Sequence, residues 1–130
     1  MSYLYEMHAH VKEVSTCSGS DSKKLAECYL NTEYAGIVVT DHINPSTFAR
    51  KELRDASWED KIKHFLSGYE AVKKAVGDKM NVILGLEINF YNHPNDYLVY
   101  GVTEEFLLSY GDLMTLGPKK FSEIAHENGL

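Results

Sequence analysis

The run Ile37–Thr40, "IVVT", is β-branched at every position and has no apolar–polar alternation. A strand of that kind is built to be covered on both faces, as in a parallel sheet flanked by helices. The rest of the chain follows the same plan. "YLYEMH" (Tyr3–His8) reads as the preceding strand. "DSKKLAECYLNTEYAG" reads as the helix between them, with Asp21 or Ser22 as cap, Leu25, Cys28 and Tyr29 on one face, and Gly36 as its end. A long loop covers 41–56. "SWEDKIKHFLSGYEAVKKAVG" is the clearest helix: Ser57 and Asp60 form a capping box, the apolar stripe runs from Trp58 through Ile62, Phe65, Leu66, Tyr69 and Val72 to Val76, and Gly77 stops it. "NVILGLEI" and "YLVYGV" are a third and a fourth strand, and "TEEFLLSY" and "GPKKFSEIAHENG" two closing helices. This order, β-α-β-α-β-β-α-α, predicts one α/β domain over residues 1–130 with a parallel sheet or barrel.

In such folds functional residues gather at the carboxyl ends of strands. His8 and His10 close the first strand, and a two-residue spacing puts both imidazoles on one face, ~6.5–7 Å apart at Cα. One metal ion can take a nitrogen from each. Asp41 and His42 follow the second strand directly, and Glu87 ends the apolar run of the third. A carboxylate beside "LGL" needs a cation nearby, because burying it unpaired costs several kcal/mol. Imidazoles with carboxylate suit Zn²⁺, Mn²⁺ or Fe²⁺ rather than Ca²⁺. The three clusters, His8 with His10, Asp41 with His42, and Glu87, thus fall at equivalent ends of three strands and together predict a metal site.

The formal net charge of −6 argues against nucleic acid or an anionic membrane as partner. No apolar run approaches the ~20 residues of a membrane helix. "MSYLYE" has neither the basic nor the apolar region of a signal peptide. Cys17 and Cys28 are too few for a disulfide scaffold and form no Cys-x-x-Cys pair, so reduced thiols in a cytoplasmic protein are expected.

"HAHVKEVSTCS", "GIVVTDH" and "GLEIN" resemble, in order and spacing, three successive motifs of the PHP family, the polymerase and histidinol phosphatase domains. The resemblance runs from Tyr5 to about Gly101. It implies a distorted (β/α)7 TIM-type barrel, two or three divalent metal ions, and hydrolysis of a small phosphorylated substrate. It also implies His8, His10 and His42 as metal ligands, Glu87 as the carboxylate bridging two ions, and Asp41 as a carboxylate that orients a ligand imidazole or bonds the backbone. Glu87 and Asp41 are thus the expected catalytic carboxylates. The family often has a further histidine on the strand matching "YLVYG", where this chain has none; His93 and Asp96 are the weaker metal candidates. Later Ala-His-Pro-like and Asp-x-His-like motifs are also missing. His126 lies in a helical pattern and is not expected to replace them. The expectation is a half-barrel of four strands with flanking helices, cut short before the later motifs and able to self-associate through its open edge.

Lys12, Arg50 and Arg54 are candidates to hold a phosphate. "STCSGSDS" offers backbone N–H groups to a phosphate at a helix start but lacks the Gly-Lys-Ser/Thr of a P-loop; Cys17 beside it could oxidise or bind a metal but reads first as a bystander, and His64 needs no function. Two other functions compete with phosphoester hydrolysis. Amidohydrolases, which attack C–N bonds, also begin with His-x-His on a first barrel strand. The chain could equally be a non-catalytic metal-binding fragment or structural module.

Overall fold

The protein is described by a computed structural model covering residues 3–130. Strand β1 (Leu4–Ala9) leads through a loop to helix α1 (Ser22–Leu30) and strand β2 (Tyr34–Val39). The short strand β3 (His42–Ile43) and one-turn helix α2 (Pro45–Phe48) follow, then the long helix α3 (Trp58–Val76). Strands β4 (Asn81–Asn89) and β5 (Asp96–Tyr100) precede helices α4 (Glu104–Ser109) and α5 (Gly117–Glu127). β1, β2 and β4 are parallel neighbours in that order, and β3 extends the β2 side of β4. The result is a mixed sheet curled into a half-barrel, with helices on its outer face. The Tyr100 hydroxyl on β5 donates to Met7 O on β1 at 3.1 Å, tying the two outermost strands across the curl.

The parallel expectation fails at β5, which runs antiparallel to β4. Only a six-residue connection, 90–95, separates them, and a parallel return needs a crossover of about a dozen residues or more. The first helix also ends earlier than its sequence suggests. Asn31 caps it, and Tyr34–Gly36 belong to β2 instead. Gly36 is a strand residue whose missing side chain leaves room for the Tyr5 ring. Ala26 and Ser22 are the buried residues of α1, whereas Cys28 is exposed.

The outer face of the sheet is dry. Ala9, Val11, Ile37, Val39, Val72 and Val76 are all buried between β1, β2, α1 and α3. A second apolar cluster joins Leu86 and Ile88 of β4 to Phe65, Phe106, Leu107 and Phe121 of the later helices. The α3 capping box is present: Ser57 Oγ accepts from Asp60 N–H, and Gly77 closes the helix at φ 58°. Among the described residues, no helix is long and apolar enough to cross a membrane.

Candidate metal centre

The site begins with an irregularity in β1. Glu6 lies opposite Ile37, and Ala9 opposite Val39. Three steps along β1 therefore match two along β2, which is a bulge. Ala9 is buried on the outer face, so His8 and His10 on either side of it project to the inner one. His42 and Glu87 are paired across the β3–β4 ladder, which brings the second and third strand ends together.

Four side chains converge there. Glu87 Oε2 lies 3.0 Å from His8 Nε2, 3.1 Å from His10 Nε2 and 3.5 Å from His42 Nδ1. His8 Nε2 and His10 Nε2 are 2.8 Å apart, so both cannot carry a proton toward the other. The His10 and His42 rings stack with centroids 4.6 Å apart. Burial pushes the His10 pKa down to about 4; His42 beside it adds to the fall, and Glu87 opposes it. His10 is therefore a neutral imidazole at pH 7, the form that binds metal.

Two further observations test whether the group fits a metal ion. The Nδ1 atoms of His10 and His42 are buried without a hydrogen-bond partner. The 3.5 Å from His42 Nδ1 to Glu87 is too long to supply one. The remaining donor spacings match ligands bound at ~2.0–2.1 Å, which lie roughly 2.9–3.4 Å apart around one ion. His8, His10 and Glu87 offer ligand atoms all within 4.8 Å of one another. The residues fit.

Asp41 has a different task. It is 1% exposed, and its Oδ1 accepts from Val11 N–H at 2.9 Å and from Ser15 Oγ at 2.7 Å. The Ser15 hydroxyl in turn accepts from His42 N–H at 3.0 Å. Asp41 thus fixes the loop after β1 to the backbone of a ligand residue. Its Oδ2 is buried without a hydrogen-bond partner and packs under α3 at Gly68, where a Cβ would collide with it. Burial raises the Asp41 pKa to about 6, and the hydrogen bonds from Val11 and Ser15 hold it back from rising further.

The other candidates lie apart from this cluster. His93 Nδ1 accepts from Asn95 N–H, and its ring packs on Phe90 and Tyr97. Asp96 pairs with Asn89 in the β4–β5 ladder. Neither belongs to a ligand group among the described residues. Lys12 pairs with Asp21 at 3.4 Å and Arg54 with Asp55 at 3.2 Å, both exposed. Arg50 donates to Thr47 O, Val14 O and His64 Nε2, so it braces two loops against α3. His126 is exposed on α5.

One residue in the site, Ser15, escapes the sequence reading, and a second, Cys17, is weighed there as a metal ligand but set down as a bystander. Ser15 sits in a polar stretch with nothing to mark it, although it is fully buried. Cys17 Sγ lies 3.3 Å from His42 Nε2. Partial desolvation pushes its thiol pKa up, and the carboxylates of Glu87 and Asp41 add to the rise. The available signal was a soft ligand atom seven residues after His10, in the loop that leaves the first strand. No family model, curated protein or solved structure matches the chain.

Proposed function

We propose that this chain is a metal-dependent phosphoesterase of the PHP type, acting on a small phosphorylated molecule. One observation carries the reading: a single carboxylate oxygen, Glu87 Oε2, lies within 3.5 Å of nitrogens from His8, His10 and His42. Three imidazoles and a carboxylate, drawn from the ends of three neighbouring strands, form a ligand set for Zn²⁺, Mn²⁺ or Fe²⁺. Bound divalent ions supply the Lewis acidity that neutralises phosphoryl oxygens and activates the attacking water.

The chain's own residues do the rest. His8 and His10 hold their ring nitrogens toward Glu87 from the bulged end of β1. Glu87 contributes negative charge at the centre of the cluster. Asp41, through Ser15, keeps the His42 backbone from shifting. The His8 side chain is 44% exposed, so a substrate phosphate can reach the cluster from solvent. Lys12 presents an ammonium on the same loop that carries Ser15.

The test is release of phosphate from p-nitrophenyl phosphate or histidinol phosphate in the presence of Mn²⁺, Zn²⁺ or Fe²⁺. His8→Ala and Glu87→Gln are expected to lower turnover on the order of 100-fold or more, and a chelator to abolish it. Turnover that survives the chelator or Glu87→Gln sinks the reading. Hydrolysis of a cyclic amide without phosphate release would put C–N hydrolysis in its place. Metal uptake with neither reaction would leave a metal-binding module.

A further inference from the structure

One peptide unit of the β1 bulge is held from two directions. The register of β1 against β2 runs from Glu6 opposite Ile37 to Ala9 opposite Val39 and gives Met7 and His8 no partner. Residues paired in a parallel ladder face the same way, and Ile37, Val39 and Ala9 all lie in the outer apolar cluster. Glu6 therefore points toward α1, although the two-residue period of a regular strand would set it on the face of His8. Its carboxylate joins the helix to the bulge. Oε2 accepts from the Tyr29 hydroxyl of α1 at 2.6 Å, and Oε1 accepts from His8 N–H at 3.0 Å. The carbonyl of the same peptide unit, Met7 O, accepts from the Tyr100 hydroxyl of β5 at 3.1 Å. A trans peptide points its C=O and N–H in opposite directions, so Glu6 and Tyr100 grip this one plane from its two edges. The Tyr29 ring is itself seated edge-on against Tyr34 of β2, with centroids 5.1 Å apart.

We propose that Glu6 is a positioning residue of the metal centre: with Tyr29 behind it and Tyr100 opposite, it locks the Met7–His8 peptide and so aims the His8 imidazole at His10 and Glu87. The inference rests on reading the cluster as a metal centre, though not on the reaction proposed for it. His8 needs such a lock more than its neighbours do. Its side chain is 44% exposed, against 16% for His10 and 15% for His42, so packing holds it least and its direction depends most on the backbone. His42 is treated in the same way, since Ser15, bonded to Asp41, accepts from its N–H. Each of these two ligands thus has its backbone N–H tied to a carboxylate outside the ligand group, directly or through one hydroxyl. Partners that only orient a ligand are typically worth about 10–100-fold in metal affinity.

Zn²⁺ affinity of the full chain, measured by competition with a chromophoric chelator, is the first readout. Glu6→Ala should weaken binding about ten-fold or more. Glu6→Gln keeps a carbonyl acceptor for His8 N–H without the charge, and should stay within about three-fold of wild type. Tyr29→Phe and Tyr100→Phe each release one anchor and should weaken binding by a few fold. Val76→Ala, in the outer cluster but on α3, should lower the unfolding temperature and leave Zn²⁺ affinity unchanged, which separates aiming from folding. The second readout needs no metal. The His8 and His10 ring centroids are 4.8 Å apart, so their ring protons should show a nuclear Overhauser contact in the wild type and in Glu6→Gln, and lose it in Glu6→Ala. Wild-type affinity in a folded Glu6→Ala, or Glu6→Gln as weak as Glu6→Ala, overturns the positioning role and leaves the metal centre standing. Should Glu6→Ala not fold, wild-type affinity in both tyrosine variants overturns it equally. A ring contact that depends on Glu6, in a chain that takes up no Zn²⁺, supports the lock on His8 and counts against the metal centre instead.

Discussion

The two faces of the half-barrel sheet are made from alternate residues of the same strands, yet they are built to opposite ends. On the outer face, Ala9, Ile37 and Val39 are at most 5% exposed and pack against α1 and α3. On the inner face, Ile83, Leu98 and Tyr100 remain 41%, 39% and 37% exposed, and the polar cluster sits at their rim. Stability is concentrated on one side, and ligand-type groups with unsatisfied nitrogens on the other. Asp41 and Glu87 repeat the contrast at the scale of single residues. Both are carboxylates at strand ends, but one is buried under a helix as a brace and the other faces three imidazoles.

The largest effect should come from breaking that division on its dry side. Ile37 is fully buried in the outer cluster, and Ile37→Ala is expected to cost about 2–5 kcal/mol in urea unfolding. His8→Ala, on the opposite face of the neighbouring strand, removes an exposed ring and should change metal-free stability by less than about 0.5 kcal/mol. Metal affinity should respond the other way round, falling with His8→Ala and holding in Ile37→Ala below its unfolding temperature. Comparable stability losses in the two variants would erase the distinction between the faces.

Much of this was readable in the residues because the signals are local. The α3 caps lie at Ser57 and Gly77, where the sequence puts them, and the histidine spacing correctly implies a shared face. Glu87 announces itself as a charge inside an apolar run. What could not be read depends on partners far along the chain. The β1 bulge is defined only by its register against β2. The direction of β5 follows from its pairing with β4. Ser15 and Cys17 look like loop residues until a buried Asp41, 26 residues beyond Ser15, draws that loop across the strand end. The same non-locality explains Arg50: its cluster with Arg54 suggested a phosphate, but its guanidinium is taken by Val14 O and His64 from separate elements.

The acid behaviour of the metal-free chain sharpens the contrast between the two faces, with an intermediate effect. His10 has its pKa lowered from 6.5 to about 4, so the unfolded chain takes up this proton first, and stability is lost as pH falls from 6.5 toward 4. Asp41 has its pKa raised from 3.8 to about 6, so the folded chain holds that proton longer, and stability is lost as pH rises from 3.8 through 6. The slopes oppose each other between about pH 4 and 6 and nearly cancel in the wild type. Urea unfolding over this range should separate them. Asp41→Asn should uncover a loss of stability toward acid, and His10→Ala a loss toward neutral pH. Profiles with the same sign in both variants would show that these two groups do not control the acid limb.

The smallest effects test whether the loops between strands and helices brace the site or merely cover it. Arg50 joins Thr47 O, Val14 O and His64, and Val14 lies one residue before Ser15 in the loop that reaches His42. Arg50→Ala should cost about 1–2 kcal/mol, since it strands a part-buried carbonyl and imidazole. It should also weaken metal binding by a few fold through displacement of Ser15 and His42. Arg54 pairs only along the surface with its neighbour Asp55, and that side chain is 87% exposed. Arg54→Ala should therefore stay within about 0.5 kcal/mol of wild type. If both arginines instead held a substrate phosphate, the two variants would raise KM together and leave metal affinity and stability alone. A change in metal affinity confined to Arg50→Ala separates bracing from substrate binding, because only Arg50 touches the loop that carries Ser15 and Cys17.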